Sequence, residues 1–433
     1  MKYEIKSLIL IIAFMSCVFL FAQDTLEEIV TWELEEEAQF RCQNLNSDGS
    51  DLNNDGYDDF IHWYPGDYYR FQFFMGAETP NTTFDFEIEV PFGSTFISWG
   101  GDLNGDGFQD IVFSKCTDAF DPGDIYICLG DDEIDLEPEL ILQGEDYVPD
   151  PTGLNYKGFN GGYDFNGDGF DDLLTYGEGP SYNWNGLIQI FLGGEELSTT
   201  PYFQIQGNVL DEFGKHRAVG DINGDGFDDL IVSRNETMSG PVSFEIYLGG
   251  SEFDSICDYA ISEIWYGTFD CIANGDFNGD NINELLITGS INEIDGIIGI
   301  YYIDSSNELI FLQDDLTPDG GFSYANINND IYDDLVATYS YNTIGYLNIY
   351  LGNQNLDYNC NLSYQYGTLN NQYNKIGCSI GDINNDGKDE ILQNNGQPYN
   401  TANVYGLSDG NNIDNYELDS TVAKYKLQNY PNL

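Results

Sequence analysis

The sequence predicts an all-β chain, a seven-bladed β-propeller. Two observations carry that expectation: an acidic block that recurs seven times, and short strand-like runs that fill the interval between blocks. The first block reads Asp51-Leu-Asn53-Asn-Asp55-Gly56-Tyr57-Asp58-Asp59, and the second Asp102-Leu-Asn104-Gly-Asp106-Gly107-Phe108-Gln109-Asp110. The others span 164–172, 221–229, 276–284, 326–334 and 382–390, a mean period of about 55 residues. Each block is followed by an apolar run: Phe60-Ile61, Ile111-Val112-Phe113, Leu173-Leu174, Leu230-Ile231-Val232, Leu285-Leu286-Ile287. A second run ending in Leu-Gly comes next, as in Ile125 to Gly130, Ile188 to Gly193, Phe244 to Gly249 and Leu347 to Gly352. A further strand precedes the next block, as in Phe84 to Val90 and Glu139 to Leu142. Four short antiparallel strands per period make one propeller blade, and seven blades lie within the usual range.

Along the chain, Lys2 and Lys6 precede an apolar run from Leu8 to Phe21 that ends at Ala22, the pattern of a signal peptide over 1–22. The run is short of the roughly 20 apolar residues of a spanning helix. Lipidation at Cys17 is the weaker reading, because apolar residues continue past it. The propeller is expected over 23–420, with a linker and stub over 421–433. Its ring is closed by an outer strand from either Glu28 to Glu35 or Ile413 to Leu418.

Composition excludes whole classes of partner. The 433 residues carry 75 Asp plus Glu against 13 Lys plus Arg, a formal net charge of -62. Nucleic acid and anionic membrane surfaces both require a basic patch that this chain lacks. With 41% hydrophobic and 15% aromatic residues the chain has ample material for a core, so the charge does not mean disorder.

Each block has the chemistry of a calcium loop. A hard cation takes six to eight oxygens, and side chains at positions 1, 3 and 5 of a curled loop converge on one centre. The candidate ligands are Asp51, Asn53, Asp55, Tyr57 and Asp59; Asp102, Asn104, Asp106, Phe108 and Asp110; Asp164, Asn166, Asp168, Phe170 and Asp172; and Asp221, Asn223, Asp225, Phe227 and Asp229. In the last three copies they are Asp276, Asn278, Asp280, Ile282 and Glu284; Asn326, Asn328, Asp330, Tyr332 and Asp334; and Asp382, Asn384, Asp386, Lys388 and Glu390. Position 7 offers its carbonyl, which accounts for its varied side chain, and the acid at position 9 can bind bidentately. Position 6 is usually Gly because the turn needs positive φ. Asn281 tolerates that conformation, but Ile331 does not, so six or seven Ca2+ sites are expected, with 326–334 the weakest. An EF-hand is excluded, since position 12 is His62, Phe113 and Thr175 in the first three copies.

With Phe213-Gly214 ahead of the fourth block and Leu230-Ile-Val after it, the chain resembles the FG-GAP or VCBS repeats of integrin α-subunit propellers. The resemblance implies a calcium-stabilised propeller with metal in the turn between strands 1 and 2 of each blade. Leu427 to Asn432 is similar to the start of the C-terminal sorting domain of type IX secretion substrates. The remainder of that domain is missing, and truncation and chance both stay open.

Seven cysteines remain without Cys17. Cys257 and Cys271 recur as Cys360 and Cys378, which suggests two equivalent disulfides, and Cys116 with Cys128 is a third candidate; Cys42 is odd, and thiols are the alternative throughout. Turns 1–2 and 3–4 share one face of a blade, so the metal loops leave the opposite face for a ligand. Near that face lie Trp63, Tyr64, Tyr68, Tyr69, Tyr182, Trp184, Trp265, Tyr266, Tyr339 and Tyr341, as ligand contacts or as strand-end packing. The expectation is a secreted or cell-surface adhesion module for an extracellular protein or glycan. A polysaccharide lyase or hydrolase is the alternative, although His62 and His216 are the only histidines and there is no nucleophile elbow. A structural spacer within a larger surface protein is a third reading.

Overall fold

The computed structural model describes residues 26–33, 50–64, 69–81, 83–90, 97–115, 123–131, 137–144, 156–177, 185–235, 242–261, 265–291, 294–303, 308–314, 322–341, 344–356, 362–368, 377–394 and 401–407. Among these residues every regular element is a strand. Strand β1 (Leu26–Glu33) precedes blade 1, which holds β2 (Phe60–Tyr64), β3 (Tyr69–Phe74) and β4 (Phe86–Val90), with a Ser50 to Asp59 bridge at its inner edge. Blade 2 is β5 (Ile97–Gly101), β6 (Asp110–Lys115), β7 (Asp124–Cys128) and β8 (Leu140–Gln143). Blade 3 is β9 (Tyr156–Tyr163), β10 (Asp172–Gly177), β11 (Leu187–Phe191) and β12 (Phe203–Gln206). Blade 4 is β13 (Arg217–Gly220), β14 (Asp229–Asn235), β15 (Val242–Tyr247) and β16 (Tyr259–Ala260). Blade 5 is β17 (Trp265–Gly275), β18 (Glu284–Ile291), β19 (Ile294–Ile303) and β20 (Leu309–Asp314). Blade 6 is β21 (Phe322–Ala325), β22 (Asp334–Tyr341), β23 (Ile344–Tyr350) and β24 (Leu362–Thr368). Blade 7 is β25 (Gly377–Ser379), β26 (Ile391–Asn394) and β27 (Thr401–Leu407), completed on its outside by β1.

The apolar runs occupy the second strand of each blade because that strand is covered on both faces. β10 is buried at every residue and β14 at all but Arg234, whereas outer β12 buries only Phe203. The cores lie between blades: Val112, Ile125 and Ile127 of blade 2 pack on Phe159, Leu173 and Phe191 of blade 3. Phe60 and Phe74 of blade 1 pack on Ile380, Leu392 and Val404 of blade 7. No blade can bury its own two faces, so the ring must close.

Closure comes from the N-terminus. β1 runs antiparallel to β27 from Leu26 opposite Leu407 to Glu33 opposite Thr401, with a bulge between Glu28 and Val30. The alternative closing segment, 413–418, lies outside the described residues, as do 1–22, 421–433, Cys42, Cys116 and Cys360.

Two expected disulfides are not formed: Cys128, Cys257 and Cys271 are thiols. The ladder of blade 2 sets Cys128 opposite Ile111, while the chain reaches Cys116 only after Lys115 at the other end. Five residues of strand are about 16 Å, far beyond disulfide reach. Cys257 sits beside outer strand β16, its thiol donating to the Tyr259 carbonyl at 3.0 Å, whereas Cys271 is on inner β17 of the next blade. Three strand spacings, about 14 Å, separate those radii. Cys378 on β25 is disulfide-bonded, to a partner outside the described residues.

Removing Leu26–Glu33 tests the closure. Seven register pairs are lost, at about 0.2–1 kcal/mol each, so thermal melting should show a destabilisation of about 2–5 kcal/mol. Exposing β27 as an edge should also produce self-association on size-exclusion chromatography. An unchanged melting curve would show that β1 does not close the ring.

Candidate metal centres

All seven blocks form loops at the junction of a blade's first and second strands. In six of them the Asp at position 1 holds the loop: one oxygen accepts the N–H of position 5, the other the N–H of position 6, at 2.6–3.1 Å. The Asp at position 5 accepts the N–H of position 7 at 2.8–3.1 Å in every loop. Position 6 has positive φ at Gly56, Gly107, Gly169, Gly226 and Gly387, and at Asn281, as its residue types require. Ile331 does not adopt it and is 71% exposed. In that sixth loop Asn326 has a single carboxamide oxygen, and its Nδ2 donates to the Asp330 carbonyl at 2.9 Å instead.

The acid at position 9 is buried in every copy, at 2% exposure or less. One of its oxygens accepts the N–H of position 2 at 2.7–3.2 Å. Where the residue is Asp, the other oxygen accepts the N–H of the Leu-Gly glycine or its blade 1 equivalent: Gly76, Gly130, Gly193, Gly249 or Gly352. Where it is Glu, one methylene longer, that oxygen turns into the loop and takes the amide of position 3, Asn278 to Glu284 and Asn384 to Glu390. Burial pushes Asp59, Asp110 and Asp172 up to about 7, against the backbone N–H bonds that pull them down. It carries Asp229, Glu284 and Asp334 up to about 8 and Glu390 up to about 9, with the nearby loop acids adding to the rise.

These residues fit a hard cation. The carboxylate oxygens of Asp276, Asp280 and Glu284 lie within 4.8 Å of one another, a crowding that a divalent ion relieves. In loop 7 the Asn384 Oδ1 is buried with no hydrogen-bond donor. The donor set is all oxygen, as calcium prefers.

Positions 4 and 8, outside the ligand set, and the side chain of position 7 prove structural. Position 4 has positive φ in all copies, at Asn54, Gly105, Gly167, Gly224, Gly279, Asn329 and Asn385, which is why only Gly and Asn occur there. Position 7 packs over the position-4 glycine of the preceding loop: Phe170 on Gly105, Phe227 on Gly167, Ile282 on Gly224, Tyr332 on Gly279. Position 8 staples neighbouring loops. The N–H of Asp58, Asp171, Asp228, Asp333 and Asp389 donates to the position-1 carbonyl of the preceding blade at 2.9–3.2 Å. Their carboxylates in return accept that same residue's N–H at 2.6–2.8 Å. The run of acids at position 8 was the available signal.

On the opposite face the expected aromatic positions fall at strand ends: Trp63 and Tyr64 end β2, Tyr69 opens β3, Trp265 and Tyr266 open β17, and Tyr339 and Tyr341 lie towards the end of β22. Tyr68, Tyr182 and Trp184 lie outside the described residues. The His216 imidazole, half-buried, is pushed down to about 4 by desolvation and by the neighbouring Lys215 and Arg217, and stays neutral at neutral pH.

An FG-GAP repeat profile matches residues 218–243, which take in most of β13, all of loop 4, β14 and the opening of β15. Integrin alpha-PS5 of Drosophila melanogaster is 30% identical over 145 residues, 30% of this chain. The match spans only 14% of that protein's length. Among solved structures, the exotype rhamnogalacturonan lyase YesX superposes with a TM-score of 0.44 at 13% identity, over 87% of this chain and 75% of the lyase.

Two outcomes test the loops. Asp171→Ala leaves the Asp102 N–H without its acceptor and should cost about 1–3 kcal/mol in urea denaturation; no loss would dismiss the staple. In chelator, the position-9 acids bind more protons folded than unfolded, so stability should fall as pH rises from 5 to 9. Added calcium should reverse that slope, and a metal-free melting temperature that climbs with pH would contradict the burial of these acids.

Proposed function

We propose that this FG-GAP, integrin-α-like propeller is a secreted or cell-surface, calcium-stabilised module that binds an extracellular protein or glycan without catalysis. The observation that carries the reading is the clustering of all seven acidic loops at one end of the blades. It leaves the 2–3 and 4–1 connections at the other end for recognition. Calcium would be held by the side chains at positions 1, 3, 5 and 9 and by the position-7 carbonyl. Bound there, it supplies charge neutralisation and rigidity. Loop 6 is the weakest, because Asn326 offers one oxygen and Ile331 forces a different turn.

Calcium at about 1 mM, with the weak affinities of extracellular modules, contributes about 0.4–1.4 kcal/mol per site. Calorimetry should count six or seven ions, and a count of zero or one would defeat the proposal. Glycan-array and cell-binding retention should require calcium and vanish with EDTA. New unsaturated or reducing ends released from polysaccharides would replace the binding reading with the enzymatic one.

A further inference from the structure

Arg217 opens β13, immediately after the connection from blade 3, so it stands on the face opposite the acidic loops. Its guanidinium lies over the Tyr176 ring at 5.2 Å. Tyr176 is near the end of β10, opposite Gly158 in the ladder with β9, and thus on the same face. Gly158 makes the room: a side chain there would place its Cβ 2.3 Å from Arg217 Nη2. All three belong to the inner half of blades 3 and 4, where Tyr176 is part of the core between the two blades.

The guanidinium has no anionic partner among the described residues. Its Nε is buried with no hydrogen-bond acceptor. Burial draws its pKa down, and the groups that act against that on its charge are Tyr176, Cys271 and Tyr163, none of them a carboxylate. Arg234, 17 residues on, is the contrast. It meets Glu245 through Nε at 2.8 Å and Nη2 at 3.0 Å, and Asp211 through Nη1 at 2.6 Å, while stacking on Phe213. A chain with 75 acids has not lacked the means to pair Arg217.

The balance leaves a deficit. A cation over an aromatic ring is held only weakly, whereas withdrawing much of a charge from water without a counter-charge is costly. An incoming anion would make up the difference. We propose that Arg217, bedded on Tyr176 and Gly158, is a binding site for a single carboxylate at the inner strands of blades 3 and 4, on the face opposite the acidic loops. The planar guanidinium suits a carboxylate's two oxygens. The net charge of -62 repels polyanions, so one isolated carboxylate on an otherwise neutral ligand is the class that fits. Part of Arg217 remains exposed, which gives such a group its approach. The site stands whether or not the wider face engages a macromolecule.

The test uses the full, calcium-saturated chain at constant ionic strength, with 13C-labelled propionate as probe. Saturable line broadening is expected, with a millimolar dissociation constant. Arg217→Met should abolish it, and Arg217→Lys, which keeps the charge but not the planar fork, should weaken it at least threefold. Melting curves of the same variants report folding separately, and if the Met variant fails to fold, the Lys variant decides. No saturable broadening in the natural protein, or unchanged affinity in a folded variant, overturns the proposal. A failed search for a glycan or protein ligand leaves this result untouched.

Discussion

The ring depends on a two-way clasp between neighbouring loops. A position-8 acid gives its N–H to the preceding blade's position-1 carbonyl and takes that residue's N–H on its carboxylate. The acceptor residue is the same Asp or Asn whose side chain organises its own loop. Five of the seven loops are thereby built partly from the next. The clasp between Asp58 and Asp382 joins residues 324 apart in sequence, and so does at the loop end what β1 and β27 do at the outer rim. Local order and ring closure become one event, which suits an architecture whose cores lie between blades.

The position-9 acids impose the opposing constraint. Seven carboxylates are buried behind the loops, each pinned by the N–H of position 2. Those bonds favour the ionised form, yet burial outweighs them and raises every one of the seven. Without a counter-charge, the fold at neutral pH holds carboxylates poised between forms beside further acids. A divalent ion held by such a loop would be the simplest relief, and it would convert a destabilising cluster into a cross-link. Copies 5 and 7 carry this furthest, because Glu284 and Glu390 extend into the loop itself.

Periodicity made the blade count legible, since seven blocks recur at a near-constant interval. Asn281 and Ile331 show why the glycine at position 6 could be interpreted in advance: the constraint is a local φ, and residue type reports it. Position 8 was harder to read, because its carboxylate acts on a different blade and an acid among acids carries no mark of its partner. The cysteines misled for a related reason. Equal spacing after the Tyr-Leu-Gly strand makes Cys257 and Cys271 recur as Cys360 and Cys378, which suggests a bonded pair, but Cys257 is at the outer rim of its blade and Cys271 is on the inner strand of the next. Ring closure stayed open in sequence because either terminus could extend beside β27, and only the register with Leu26 to Glu33 decides it.

The charge itself divides unequally between the two ends. Positions 1, 5 and 9 of the blocks account for 20 of the 75 acids, and seven divalent ions would cancel 14 negative charges. The rest is an anionic surface that keeps polyanions away and favours neutral or cationic partners. Against that background a half-buried cation without an acid among the described residues is the exception that needs a cause. Arg217 could have been paired as Arg234 is, by Glu and Asp within reach. Instead a glycine is placed where any side chain would collide with the guanidinium, and a tyrosine ring supports it from the other strand. Two neighbours shaped to hold a charge that no carboxylate of the described chain neutralises point outward, to a ligand, for the missing partner.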